Sequence, residues 1–306
     1  MPSPGVIALA RIFRDAILAH DKVALSRLIK AYGGIWARLQ DKADLLALEI
    51  AGMDEVTPAA VLRMARYKEL LAQTEKELTR FSGYMQTELI AGTQGSIALG
   101  TRHAGALLRE AGITGGFNRL PTSAIETMLG FLQDGSPLFT RIEALAPFTA
   151  KRVADALVEG IGLTDALRMT RTAQLWSYRE ASRANYIANA DVVSGWIWWA
   201  DLPGEPCMSC IAEHGTEHPL TESLDDHYNG RCAALPLLRG EAPGQVGAGE
   251  DWFASLDEAK QKELMGESRW DAWKSGRFDF SDLSATHEDD VYGTMRSEAT
   301  LESLLQ

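Results

Sequence analysis

The sequence predicts an α+β protein that is predominantly α-helical, with long N-terminal helices followed by a small α+β module stapled by zinc. Three observations carry this expectation. Apolar residues recur every three or four positions through most of the first 190 residues. After Asp191 the chain turns to a dense β-branched and aromatic run, Val192 to Trp199. All three cysteines then fall in a stretch rich in Gly, Pro, Asp and His, with little periodicity to build a core.

Thr57 before Pro58 places a capping hydroxyl ahead of a proline at the first helical position. The segment that follows keeps a helical period without another proline until Pro121, which predicts one long helix, or two broken near Ser82 and Gly83. The glycines of 92–100 and 112–116 are expected to be joints. Pro121, Pro137 and Pro147 divide residues 121–162 into several short helices. Thr164 is expected to cap a second long helix, with Leu167, Leu175, Tyr178 and Tyr186 on its apolar side. At 100° per residue, Arg168, Arg171, Arg179 and Arg183 fall within about a third of its circumference. Such a stripe serves as a solvated or ion-paired face, or meets an acidic partner or a nucleic-acid backbone.

In the run after Asp191, Trp196 and Trp198 share one side of a strand and Ile197 and Trp199 the other, so the strand should be covered on both faces. Two residues separate Cys207 from Cys210; sixteen intervene between Cys210 and His227, and four between His227 and Cys232. A knuckle followed by a close His/Cys pair supplies the four soft or borderline donors of a closed tetrahedral zinc site. An odd cysteine count weighs against a disulfide framework. His214 and His218 stand as alternative ligands, although Gly215 and Pro219 make it improbable that one helix presents them together. The expected organisation is a helical region over 1–162, a core of long helix, Trp-rich strand and Cys/His loop over 163–249, and a helical segment with an acidic tail over 250–306.

Charge is uneven. Residues 1–120 carry 15 basic and 12 acidic side chains, whereas residues 201–306 carry 8 and 22. An acidic last third repels phosphates, so any nucleic-acid contact should be indirect or lie in the first two thirds. An uninterrupted apolar stretch of about 18 residues is missing, which predicts a soluble protein made in a cytoplasm, with no membrane partner. HExxH, GxSxG, P-loop and dinucleotide signatures are absent, and no residue is singled out as catalytic.

Taken in order, several segments resemble the Mu-F-like phage head morphogenesis family. They are Arg171-Thr172, Arg183-Ala184-Asn185-Tyr186, Gly195-Trp196-Ile197-Trp198, Cys207-x-x-Cys210 and His227-Tyr228-Asn229-Gly230-Arg231-Cys232. Downstream, Trp252-Phe253, Gln261, Leu264-Met265-Gly266, Arg269 and Gly276-Arg277 are similar to the family's second block, and Thr300 to Leu304 to its closing segment. Tyr228 stands where the family pattern has proline, and Gly230 where many relatives have a further cysteine. The resemblance covers roughly the last 140 residues and implies a minor head protein that is not an enzyme. By resemblance, Cys207, Cys210, His227 and Cys232 are the ligands of a structural zinc ion. The implied partners are the phage portal protein, the major capsid protein or a scaffold protein, with packaged DNA at most indirect, and the implied location is the virion head. The alternative is a zinc-dependent hydrolase or nuclease, or a toxin-like relative, built on His214, His218 and an acidic neighbour.

Overall fold

The computed structural model describes residues 4–53, 56–113, 161–204, 206–240, 246–289 and 292–306. The short helices expected before residue 161 and the glycines of 114–116 lie outside these residues. Three long helices, α1 (Pro4–Ala51), α3 (Ala65–Glu110) and α4 (Ile161–Ile187), precede a small α+β region, as the sequence predicts. None of the described helices is long and apolar enough to cross a membrane. The chain forms two compact units. One comprises Met1–Ala19, Thr93–Leu129 and Gln174–Gln306, and the other His20–Gly92 and Gly130–Ala173.

In the second unit, the facing stretches of α1 and α3 run antiparallel. Their ion pairs step eleven residues up one helix as they step eleven down the other: Arg27 with Glu88, Arg38 with Glu77, and Glu49 with Arg66. Eleven residues make about three turns, so the pairs recur on one face. The Glu49–Arg66 pair is exposed and contributes little, Glu77 is buried against Arg38, and an apolar stripe lies beneath the pairs. There Leu28, Tyr32, Ile35 and Leu39 lie buried, as do Leu78, Phe81, Met85 and Leu89. Tyr32 meets Phe81 edge-to-face, with centroids 5.3 Å apart.

Helix boundaries correct two expectations. Thr57 does cap a helix, accepting from the Ala60 amide, but this α2 (Pro58–Arg63) ends at Met64, whose ψ of 136° breaks the helical path. Helix α3 then runs without a break through Ser82, Gly83, Gly92 and Gly95 to Glu110. The glycines of 92–100 are therefore not joints. A Cβ on Gly100 would collide with the Tyr178 carbonyl oxygen and lie 3.1 Å from Ala181 Cβ, so this glycine admits the close approach of α4. Gly112 does end α3: at φ 97° it sits in a left-handed cap, with the Ile113 amide donating to the Leu108 carbonyl. Thr164 likewise is not a cap, because α4 is already helical at Ile161.

The first unit is built on a three-stranded antiparallel sheet of order β2-β1-β3, with β1 (Val193–Trp199) between β2 (Glu217–Pro219) and β3 (Ala233–Leu238). Pro219 and Pro236 stand on the edge strands, where a missing N–H is tolerated. The alternation works as predicted. Trp196 and Trp198 enter the main core with Tyr186, Met208, Ile211, Phe253 and Phe280. Ile197 and Trp199 face Leu235 and Ala10 on the other side. Helices α5 (Met208–Glu213), α6 (Gly249–Ala254), α7 (Glu258–Met265) and α8 (Glu267–Lys274), the hairpin of β4 (Ser284–Asp289) and β5 (Gly293–Glu298), and α9 (Leu301–Leu304) complete this unit.

The glycine analysis generates a paired prediction. Gly100→Ala should destabilise the protein by about 1–3 kcal/mol through overpacking. Gly83→Ala, an exposed position with nothing within 4 Å of the added carbon, should stabilise it by about 0.5–1 kcal/mol. Chemical denaturation of both variants checks the pair, and equal effects at the two sites would contradict the close-approach assignment.

Candidate metal centre

Cys207 is the N-cap of α5, and its sulphur accepts from the Cys210 amide at 3.4 Å, so the two-residue spacing brings both thiols to one end of a short helix. The opposite wall is the loop before β3. Asn229 there takes φ 60°, a left-handed conformation that asparagine tolerates better than most residues, and the turn returns His227 and Cys232 to the knuckle. His227 Nε2 lies 3.1 Å from Cys207 Sγ and 3.4 Å from Cys210 Sγ. Its Nδ1 faces the Tyr228 carbonyl oxygen at 2.8 Å, which fixes the ring with Nε2 toward the sulphurs. Cys207, Cys210 and His227 offer donor atoms within 4.8 Å of one another, and so do Cys210, Cys232 and Asp226. All three cysteines are free thiols, with Cys210 and Cys232 buried.

These residues form a buried, cysteine-rich Cys3His group that can hold a metal such as zinc. A tetrahedral zinc ion with ordinary Zn–S and Zn–N bonds holds its ligands roughly 3.5–3.8 Å apart, close to the 3.1 and 3.4 Å between His227 Nε2 and the Cys207 and Cys210 sulphurs, while Cys232 joins the group through Cys210. A second observation fits the same donor set. The indole Nε1 of Trp198 is buried without a hydrogen-bond acceptor and lowers the pKa of the Cys232 thiol, against the burial that raises it. Electrostatics point the same way. The Cys207 thiol falls to about 5, first through its hydrogen bond with Cys210 and then through His227. His227 rises to about 9, chiefly through Cys207. Cys210 is pushed up by sharing with its two neighbouring thiols and by burial. One anionic sulphur beside a shared proton is the pattern a divalent ion relieves by taking the proton's place.

The remaining predicted site residues lie elsewhere. His214 is buried, its Nδ1 accepting from the Ala200 amide at 3.0 Å. His218 stacks on Trp196 with centroids 4.2 Å apart and faces Glu222 and Thr216. Neither joins the cysteines. The arginine stripe is also divided. Arg171 pairs with Asp21 at 2.8 Å, Arg168 is half-buried, and Arg183 pairs with Glu180 and donates to the Leu220 carbonyl. Arg179 is not on a partner-facing surface: it is 6% exposed and donates to Asp226 Oδ2, the Gly230 carbonyl and the Cys232 carbonyl.

In the sequence Asp226 is only one of several acidic side chains near the cysteines, with Glu213, Glu217 and Asp225, and its place in the loop is what sequence reasoning missed. Its Oδ2 accepts from Arg179 at 2.7 Å and from the Cys232 amide at 3.2 Å, while its Oδ1 accepts from the His227 amide at 2.9 Å and lies 3.4 Å from Cys210 Sγ. In an acidic region one aspartate among many carries no distinguishing spacing. The only sequence signal was Gly230, where a Cβ would strike the Asp226 carboxylate.

Comparison with protein-family models, with curated proteins and with solved structures finds no match to this chain. The motifs of the downstream block nevertheless have identifiable structural work. Gln261, 5% exposed, donates from Nε2 to the Phe253 and Leu256 carbonyls, and its Oε1 accepts from the Trp270 indole. Gly266 takes φ 84° between α7 and α8. Arg269 and the Met208 amide share Glu298, and Arg296 bridges Glu213 and Asp225, so the C-terminal hairpin braces both the knuckle helix and the metal loop.

Burial lowers both His214 and His103 to about 4. Their folded values lie below the unfolded one, so the folded chain binds fewer protons between about pH 6.5 and 4. The stability they contribute is fully present above about pH 6.5 and is lost as pH falls toward 4. NMR titration should find both rings neutral at pH 5.5. His214→Asn, whose amide oxygen can accept the same Ala200 amide, should flatten the acid-induced fall in Tm. A ring titrating near 6.5 would contradict the burial argument.

Proposed function

We propose that the chain is a minor head protein of a tailed phage, acting by surface complementarity in head assembly, with Cys207, Cys210, His227 and Cys232 as ligands of a structural zinc clamp. The observation that carries the reading is that the cluster supplies four soft or borderline donors from the protein itself and commits its nearest carboxylate, Asp226, to Arg179 and backbone amides. A closed donor set is the mark of a structural site, whereas catalytic zinc keeps a position open to water beside a free base. The ordered resemblance of the last 140 residues supplies the head-assembly reading, and with it the portal or capsid as partner.

One observation favours the hydrolase alternative. A cavity of about 300 Å³ opens against the cluster, lined among others by Arg14, Asp201, Cys207, His227 and Arg231. Against that reading, His214 and His218 are engaged away from the cavity, and none of the described acidic groups has the place of a base at its wall apart from Asp201, which is tied to Arg14.

Purified protein should contain about one zinc per chain. Cys207→Ser and His227→Ala should lose both the ion and several kcal/mol of stability, on the order expected when a structural metal is lost. His214→Ala should keep its zinc. Coexpression with the portal protein of the same phage should give a complex that the two ligand variants weaken. Zinc that is retained without His227, or hydrolytic turnover lost with His214, would transfer the assignment to the enzyme.

A further inference from the structure

Asp226 bonds the backbone at both ligand-bearing ends of the metal loop, His227 and Cys232. Its Oδ1 accepts from the backbone of His227, its Oδ2 accepts from the backbone of Cys232, and Oδ1 lies 3.4 Å from Cys210 Sγ. Its other partner is Arg179, which reaches from α4 and also donates from Nη2 to the Gly230 carbonyl and from Nε to the Cys232 carbonyl. At 4% and 6% exposure, both charges lie out of water, so the carboxylate has no solvent to turn toward and is held in one orientation. Gly230 completes the arrangement, since any side chain there would displace the carboxylate.

We propose that Asp226, clamped by Arg179 and given room by Gly230, is a positioning residue that presets the four-donor loop for a divalent ion such as zinc. The loop is thereby shaped before the ion arrives, and α4 and the metal centre form one mechanical piece. The inference rests on the zinc-clamp reading. Outer groups that orient metal ligands typically change affinity by about 10–100-fold when removed.

The test uses the full-length chain and zinc ions alone, with affinity read by competition against a chromophoric chelator and ligand geometry read from the absorption of the cobalt(II)-substituted protein. Three variants leave all four donors in place: Asp226→Asn, Arg179→Lys and Gly230→Ala. Each should weaken zinc binding about 10–100-fold and alter the cobalt spectrum. Gly230→Ala keeps every charge and every donor, so it carries the test if the charge variants fail to fold. Unchanged affinity with loss of stability in both the metal-free and metal-bound protein would overturn the proposal and leave a purely structural ion pair. Abolished binding in Asp226→Asn with binding retained in His227→Ala would also overturn it, making Asp226 a ligand. Wild-type protein that binds no zinc would instead sink the clamp reading on which the inference rests.

Discussion

A guanidinium and a carboxylate that are both nearly out of water can coexist only if they face each other and if their remaining donors and acceptors are met. Arg179 and Asp226 face each other and also bond backbone groups, and the groups they choose are those of the metal loop. Removing one partner of such a pair typically costs about 3–5 kcal/mol, because the other charge is left buried and unmatched. The pair therefore fixes more than its own geometry. It ties a central helix to a loop with no regular hydrogen bonding of its own, forbids a side chain at residue 230, and presents His227 and Cys232 to the knuckle at Cys207.

The rest of the module follows the same economy. Among the described residues between 200 and 306 the elements are short, so single polar side chains join them where longer helices would do so by area. Gln261 closes the end of α6 and receives the Trp270 indole. Arg296 holds Glu213 and Asp225 together, and Glu298 joins Arg269 to the start of α5. Each of these side chains satisfies several backbone or charged groups at once, and buried Gln261 is the most expensive to replace because its partners would lose their bonds out of water. A metal at the Cys3His group adds one more cross-link of this kind, joining α5 to the loop before β3.

Part of this was legible in the sequence. The alternation of Trp196, Ile197, Trp198 and Trp199 specifies a strand covered on both faces because the side-chain period of a strand is two, and the sheet obeys it. Thr57-Pro58 could be read because a cap needs only its local residues. The Cys and His spacing could be read because few other arrangements use it, and the structure brings these side chains together. What could not be read depends on a partner distant in sequence. Gly100 has the composition of a hinge, but the neighbour that explains it is Tyr178. Arg179 belongs by period to a basic stripe, yet its partner is forty-seven residues away. His214 and His218 share a ligand-like spacing, but Ala200 and Trp196 decide their roles.

X-ray absorption at the zinc edge of the purified full-length protein tests the central claim most directly, because it counts the donor atoms around the ion. Three sulphurs at about 2.3 Å and one nitrogen at about 2.0–2.1 Å are predicted, with no oxygen in the inner sphere. An oxygen-containing sphere with fewer sulphurs, or a coordination open to water, would contradict the closed clamp and move the chain toward the chemistry of a catalytic site.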